Sequence, residues 1–101
     1  MGDGHSSKMV IGLLTLEIHL PGARSLKDKR QVLRGLVARL RKRFNVSVAE
    51  VEHQDLWQRA GLAVVAVNTD RVHLEATLQS VAGEAATTRD AELVGQQMEI
   101  L

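Results

Sequence analysis

The spacing of apolar residues changes repeatedly along this chain, and the order of the changes restricts the folds that it can adopt. Some segments alternate apolar and polar residues, which is typical of a strand, and others repeat apolar residues at helical spacing. The segments are, in order, strand 9–20, helix 26–44, strands 45–52 and 61–68, helix 71–86 and strand 91–100. The predicted order of elements is therefore β-α-β-β-α-β.

The strand predicted at residues 61–68 is apolar on both faces, which indicates a central position in the sheet. Two helices that pack on one face of a four-stranded antiparallel sheet form the ferredoxin-like arrangement, an α+β fold. Because β-α-β crossovers are right-handed, the predicted strand order is 4-1-3-2. We predict one ferredoxin-like domain at residues 9–101, preceded at residues 1–8 by a disordered lead-in or a cloning remnant.

The composition agrees with one small folded domain and excludes several kinds of chemistry. With 101 residues and 45% hydrophobic content, the chain has enough apolar surface for a single core. It contains no cysteine, so a disulfide, a thiolate nucleophile and a cysteine-based zinc site are excluded. Because no apolar run reaches the ~20 residues of a membrane span and no signal-peptide pattern is present, we predict a cytoplasmic protein without a membrane partner.

Positive charge is concentrated in the first predicted helix. Residues 24–43 contain nine of the 13 lysines and arginines and one acid, Asp28, so this segment carries +8. Since the net charge is +1, the remainder of the chain carries −7. At 100° per residue, one flank of the helix holds four of these cations: Lys27, Arg30, Arg34 and Arg41.

A flank of this kind attracts phosphates, and we predict that these four residues contact structured RNA or the ribosome. The alternative is a solvated helix face that binds nothing. RNA-binding sheets of this topology stack bases on aromatic residues of the central strands, and the first and third predicted strands have none. The predicted non-catalytic binding module would therefore recognise RNA through phosphates rather than through its sheet.

The N-terminus of the same helix is the basis of a different prediction. Unpaired N–H groups and a partial positive charge attract anions to a helix N-terminus. Arg24, Ser25 and Lys29 are placed to hold a phosphate or a carboxylate there. The protein would then be a small anion-binding protein, or an enzyme in which a histidine at a strand end moves a proton. The alternative is that Ser25 and Asp28 cap the helix.

Residues of types that bind metals lie near the ends of the first two strands: Glu17, His19, His53 and Asp55. Two strands that flank a third are about 10 Å apart, which is wider than the coordination shell of one ion. We therefore predict no metal site and no cofactor, and we assign no catalytic residue.

The polar connection at residues 53–60 contains the only tryptophan of the chain. Trp57 and Arg59 are predicted to form an interaction patch, because tryptophan and arginine dominate the energetics of interfaces. The alternative is that Trp57 folds back over the end of the core. Asp55 and Arg59, four residues apart, would pair if the connection contains a helical turn.

The outer face of the sheet is predicted to join two copies of the chain. The second face of the first strand begins apolar and ends polar. We expect its apolar first half to be covered by another surface, because a fully solvated face would contain fewer apolar residues. The residues expected on this homodimer face are Ile11, Leu13, Leu62 and Val64.

Three stretches of the sequence resemble one family. Residues 22–30 read GARSLKDKR, residues 44–51 read FNVSVAEV and residues 55–60 read DLWQRA. These stretches resemble the YlxP-like family of small uncharacterised bacterial proteins, and the resemblance extends over nearly the whole chain from Met9 onward. It implies a ferredoxin-like fold and a bacterial origin. Genes of this family often lie among those for translation initiation and ribosome maturation, so the resemblance also implies ribosome-linked work, without naming an activity or a site residue.

Overall fold

The elements of the fold follow the predicted order. A computed structural model describes residues 8–101. The prediction for residues 1–8 concerns positions that, apart from Lys8, lie outside the described residues. The elements are β1 (Val10–His19), α1 (Leu26–Arg43), β2 (Ser47–Glu52), β3 (Arg59–Asn68), α2 (Arg71–Ala86) and β4 (Glu92–Ile100).

The four strands form one antiparallel sheet in the order β2-β3-β1-β4, which is the predicted order 4-1-3-2 read from the other edge. Both helices pack on the same face of this sheet, so the predicted ferredoxin-like α+β fold is confirmed. No helix within residues 8–101 has the length and apolar character needed to cross a membrane.

The core lies between the sheet and the two helices. Alternate residues of β1 point into it, which is why burial in that strand alternates with a period of two. Gly12 allows α2 to approach β1 closely, because a Cβ at this position would lie 2.7 Å from a methyl carbon of Leu78. The residues that are at most 1% exposed in the core are Leu14, Leu16, Ile18, Leu20, Leu36, Leu40, Ala60, Leu62, Val64, Leu74, Leu78 and Val81.

The prediction for the outer sheet face was wrong for two of its four residues. Leu62 and Val64 are 1% and 0% exposed and lie in the core. The pairing of β1 with β3 instead places Val65 opposite Leu13 and Val67 opposite Ile11. Because β3 is apolar on both faces, its own sequence does not tell which set of side chains points inward, and the register decides it. A homodimer through this face remains a prediction.

Candidate nucleic-acid interface

The first helix is held by one apolar stripe and exposes its cations on either side. Leu33, Leu36 and Leu40 are buried against the sheet. We use the term basic flank for four exposed residues on the side of α1 that faces β2: Lys27, Arg30, Arg34 and Arg41. Within residues 8–101, none of the four forms an ion pair with a carboxylate. Their charges therefore stay available to an external anion.

The opposite flank of α1 is partly neutralised by α2. Arg39 and Arg43 both contact the carboxylate of Glu84, with the Nε of Arg39 3.5 Å from Oε2. The Glu84 side chain is only 17% exposed, so this carboxylate lies between the two guanidinium groups rather than in bulk water. Because one carboxylate balances one of the two guanidinium charges, this flank keeps less uncompensated positive charge than the basic flank, whose four cations have no carboxylate partner within residues 8–101.

Arg41 also contacts the backbone of the edge strand. Its Nη2 donates a hydrogen bond of 2.8 Å to the carbonyl oxygen of Val48 in β2. Charged side chains commonly protect the free edge of a sheet from pairing with another strand. The bond fixes the position of the guanidinium and leaves its charge without a carboxylate partner in the described chain.

A pocket of about 250 Å³ lies beside the basic flank, between α1 and the sheet. Arg30 and Arg34, one helical turn apart, line it together with three apolar side chains and the carboxylate of Glu50. The lining residues are Arg30, Leu33, Arg34, Val37, Glu50 and Leu62. Two cations, an apolar surface and one carboxylate therefore surround the same small space.

Lys29 is not part of any external anion site, so this part of the prediction was wrong. Its side chain is 1% exposed, and its Nζ donates to the carbonyl oxygens of His53 (2.7 Å), Leu56 (2.7 Å) and Arg59 (3.1 Å). The same Nζ lies 2.8 Å from Oε2 of Glu50. Since an ammonium group has three protons and the carbonyls take all of them, the contact with Glu50 is a charge contact.

The N-terminus of α1 shows the capping arrangement that was the alternative to an anion site. The Ser25 hydroxyl accepts a hydrogen bond from the backbone N–H of Asp28, and the Asp28 carboxylate accepts one from the backbone N–H of Arg24, both 3.0 Å long. Reciprocal bonds of this kind satisfy the helix end internally. Arg24 is exposed beside it, but the Asp28 carboxylate already supplies a negative charge there.

The loop at residues 53–58 is fastened to α1 and exposes two apolar side chains. Besides the two bonds from Lys29 to His53 and Leu56, the Gln58 amide donates to the carbonyl oxygens of Pro21 (3.3 Å) and Ala23 (3.1 Å). Nevertheless Leu56 is 43% and Trp57 53% exposed. Trp57 therefore does not cover the core, and it lies on the surface as the interaction prediction requires. Whether it binds a partner stays a prediction.

Arg59 pairs across the sheet rather than within the loop. Its Nη2 lies 2.8 Å from Oε2 of Glu17 on β1, and no ion pair forms with Asp55. A pocket of about 560 Å³ opens beside it, lined by His19, Asp55, Leu56, Trp57, Gln58 and Arg59. The pair of Asp55 with Arg59, expected only if the connection contained a helical turn, does not form, because β3 begins at Arg59 and directs its side chain toward β1.

The two histidines at this end of the sheet have different carboxylate partners. His53 Nε2 lies 3.1 Å from Oε2 of Glu17, and His19 Nδ1 lies 2.9 Å from Oε1 of Glu92. His53 adopts a left-handed backbone conformation with φ of 61° at the end of β2. Across residues 8–101, no three histidine, aspartate or glutamate side chains come together as ligands for one ion.

Comparison with known proteins decides the family. The model of a family described as "Protein of unknown function (DUF503)" matches residues 11–98. The chain belongs to the DUF503 family. A relative from Bacillus subtilis (strain 168), named "Uncharacterized protein YlxP", is 42% identical over 72 residues, which are 71% of this chain and 78% of the relative. The resemblance to YlxP-like proteins is thereby confirmed.

A solved structure shares the fold of this DUF503 chain at low sequence identity. A C-terminal segment of the alpha subunit of aIF2 from Pyrococcus abyssi superposes with a TM-score of 0.50 at 20% identity, covering 92% of this chain. This chain spans about half of that segment, 49% of its length. The de novo designed protein Foldit4 has a TM-score of 0.48 at 11% identity, covering 92% of this chain and 93% of the design. At these identities the likeness concerns the fold alone.

The DUF503 match spans the basic flank and also two residues whose roles sequence reasoning missed: Glu50, which it did not assign, and Lys29, which it assigned to an anion site. Glu50 lines the pocket beside the flank, and Lys29 holds both Glu50 and the loop at residues 53–58. Helical spacing contains a signal for Lys29, since at 100° per residue it falls on the apolar stripe. Glu50 has no such signal, because it is one of several acids in a short strand.

Proposed function

We propose that this DUF503 protein is a non-catalytic module that binds structured RNA, with ribosomal RNA as the candidate target, through the basic flank of α1. The supporting observation is the division of charge on that helix. Glu84 pairs with both arginines of the flank that faces α2, whereas the four cations of the basic flank are exposed and have no carboxylate partner within residues 8–101. A polyanion supplies the partner that they lack.

The basic flank has the length and chemistry for several phosphate contacts at once. From Lys27 to Arg41 it extends over 14 helical steps, roughly 21 Å at 1.5 Å per residue. Arginine and lysine contacts to phosphate fix the position of a protein on nucleic acid and do not read its sequence. We therefore expect binding that depends strongly on salt and weakly on RNA sequence.

The test compares two double variants that remove the same charge from opposite flanks. Arg30→Gln/Arg34→Gln removes two cations from the basic flank, and Arg39→Gln/Arg43→Gln removes the two that pair with Glu84. In fluorescence anisotropy with a labelled ribosomal RNA hairpin, we expect the first variant to bind at least about tenfold more weakly than the unmodified protein. The second should stay within about threefold.

Both variants lower the net charge equally, so a general charge effect would weaken both to the same extent. Equal losses, or no binding by the unmodified protein in a buffer of low ionic strength, would contradict the proposal. Circular dichroism of each variant shows that a loss of binding is not a loss of fold.

A further inference from the structure

The pocket between Arg30 and Arg34 has features that phosphate contacts do not require. Leu33, Val37 and Leu62 give it an apolar lining, and Glu50 adds a carboxylate. A surface that only attracted phosphates would gain nothing from apolar side chains, and a carboxylate would repel them. The pocket therefore fits a different part of the same ligand.

The size and lining of this pocket fit one nucleobase. Pockets that hold drug-sized ligands have about 300–1,000 Å³, and this one, with about 250 Å³, takes a smaller ring system. Unpaired bases of RNA stack on the guanidinium planes of arginines, and two arginines one turn apart border the pocket. Its apolar side chains offer contacts to the faces of the ring.

Glu50 supplies a fixed acceptor for the edge of such a base. Its Oε2 is buried 2.8 Å from the ammonium of Lys29, while the side chain as a whole is 25% exposed, so Oε1 is the oxygen left to accept from a base. Because Lys29 itself is bonded to three carbonyl groups, it holds the carboxylate in place. A fixed carboxylate favours bases with an exocyclic amino group, which donates hydrogen bonds, over uracil, whose one N–H donor on that edge lies between two carbonyl acceptors.

We propose that the pocket lined by Arg30, Arg34, Val37 and Glu50 receives one unpaired, amino-bearing base of the RNA that the basic flank binds. This inference rests on the proposed function and adds to it a preference for a bulged over a fully paired hairpin. Phosphate contacts place the backbone along α1, and the bulged base enters the space between α1 and the sheet. The arrangement recognises an RNA feature, an extruded base, instead of a sequence.

The experiment uses three labelled RNA hairpins that differ only in the bulge: none, one adenine or one uracil. We expect the unmodified protein to bind the adenine bulge about tenfold more tightly than the paired hairpin, the size of one stacked base. The uracil bulge should fall between the two. Equal affinity for all three overturns the base pocket but leaves the proposed function intact, whereas no binding to any hairpin overturns both.

A matched pair of variants locates the preference. Val37→Gln places a longer polar side chain in the pocket, and Ala38→Gln places the same side chain on the adjoining exposed surface of α1. We expect Val37→Gln to lose the preference for the adenine bulge while its affinity for the paired hairpin stays unchanged. Ala38→Gln should keep the preference. Loss of the preference in both variants, or in neither, overturns the assignment to this pocket.

Discussion

The ammonium group of Lys29 lies within 3.1 Å of four oxygen atoms, while its side chain is 1% exposed. Removing a charge from water costs several kcal/mol unless other groups replace the lost hydration. Here three backbone carbonyls and the Glu50 carboxylate replace it. One residue thereby joins α1 to β2 and to the loop at residues 53–58.

Replacement of Lys29 by methionine should destabilise the protein severely. The variant removes the donor of three hydrogen bonds and leaves a largely buried carboxylate without its cation, and loss of one member of a buried ion pair costs about 3–5 kcal/mol. Urea denaturation measures the change in the free energy of unfolding. Lys27→Met, which alters an exposed lysine on the same helix, is the control and should change it by no more than about 0.5 kcal/mol. Similar midpoints for the two variants would contradict this role of Lys29.

The sequence predicts on which side of α1 Lys29 lies, but it does not predict the groups that Lys29 contacts. At 100° per residue the residue falls between Leu33 and Leu36, on the buried side of α1. Lysines at such positions usually extend their charge to solvent, so a count of charges along the chain includes Lys29 in the basic segment. Its partners are backbone carbonyls of a loop 24 to 30 residues away. Their position depends on the tertiary fold, which a local pattern does not contain.

At the scale of elements, the loop at residues 53–58 combines a rigid attachment with exposed apolar side chains. Lys29 and Gln58 bond it to α1 and to the carbonyls that precede α1, so the exposure of Trp57 is not a result of missing contacts in the loop. Exposed aromatic side chains on an ordered loop are typical of binding surfaces. The predicted interaction role of Trp57 and Arg59 agrees with this exposure.

Fluorescence reports on this loop directly, because Trp57 is the only tryptophan in the chain. Since its side chain is 53% exposed, we expect an emission maximum near that of indole in water and efficient quenching by acrylamide. The unfolded protein in urea serves as the control for full exposure, and its quenching should be only slightly stronger. A blue-shifted emission that acrylamide does not reach would mean that Trp57 covers the core.

The elements themselves were largely predictable, and the deviations have one physical cause. The second helix matches its predicted bounds, and the first ends one residue earlier, at Arg43. The strand β3 begins at Arg59, two residues before the prediction, because Arg59 and Ala60 pair with His19 and Ile18 of β1. Composition marks the apolar middle of a strand, whereas the partner strand determines its ends. The same dependence on register produced the error at Leu62 and Val64.

In the whole molecule, the basic flank of α1 and the exposed apolar face of the sheet lie on different sides. Of the cations in residues 24–43, Lys29 is paired with Glu50, and Arg39 and Arg43 with Glu84. The outer sheet face, with Val65 and Val67 40% and 56% exposed, lies on the side of the sheet away from both helices. A second copy on that face would therefore leave the basic flank free. Sequence patterns predicted that positive charge is concentrated in α1. Which of its cations pair with carboxylates depends on contacts between elements that are distant in the sequence, and a local pattern does not contain those contacts.

The salt dependence of RNA binding tests the central claim most directly, since it counts the phosphates that the protein contacts. For four contacts, the logarithm of the association constant should fall with the logarithm of the salt concentration with a slope of roughly −3 to −4. The Arg30→Gln/Arg34→Gln variant should lose about two phosphate contacts, so its slope should be only roughly −1.5 to −2. The Arg39→Gln/Arg43→Gln variant should keep the slope of the unmodified protein. A slope near zero for the unmodified protein, or the same slope for both variants, would contradict the assignment of RNA binding to the basic flank.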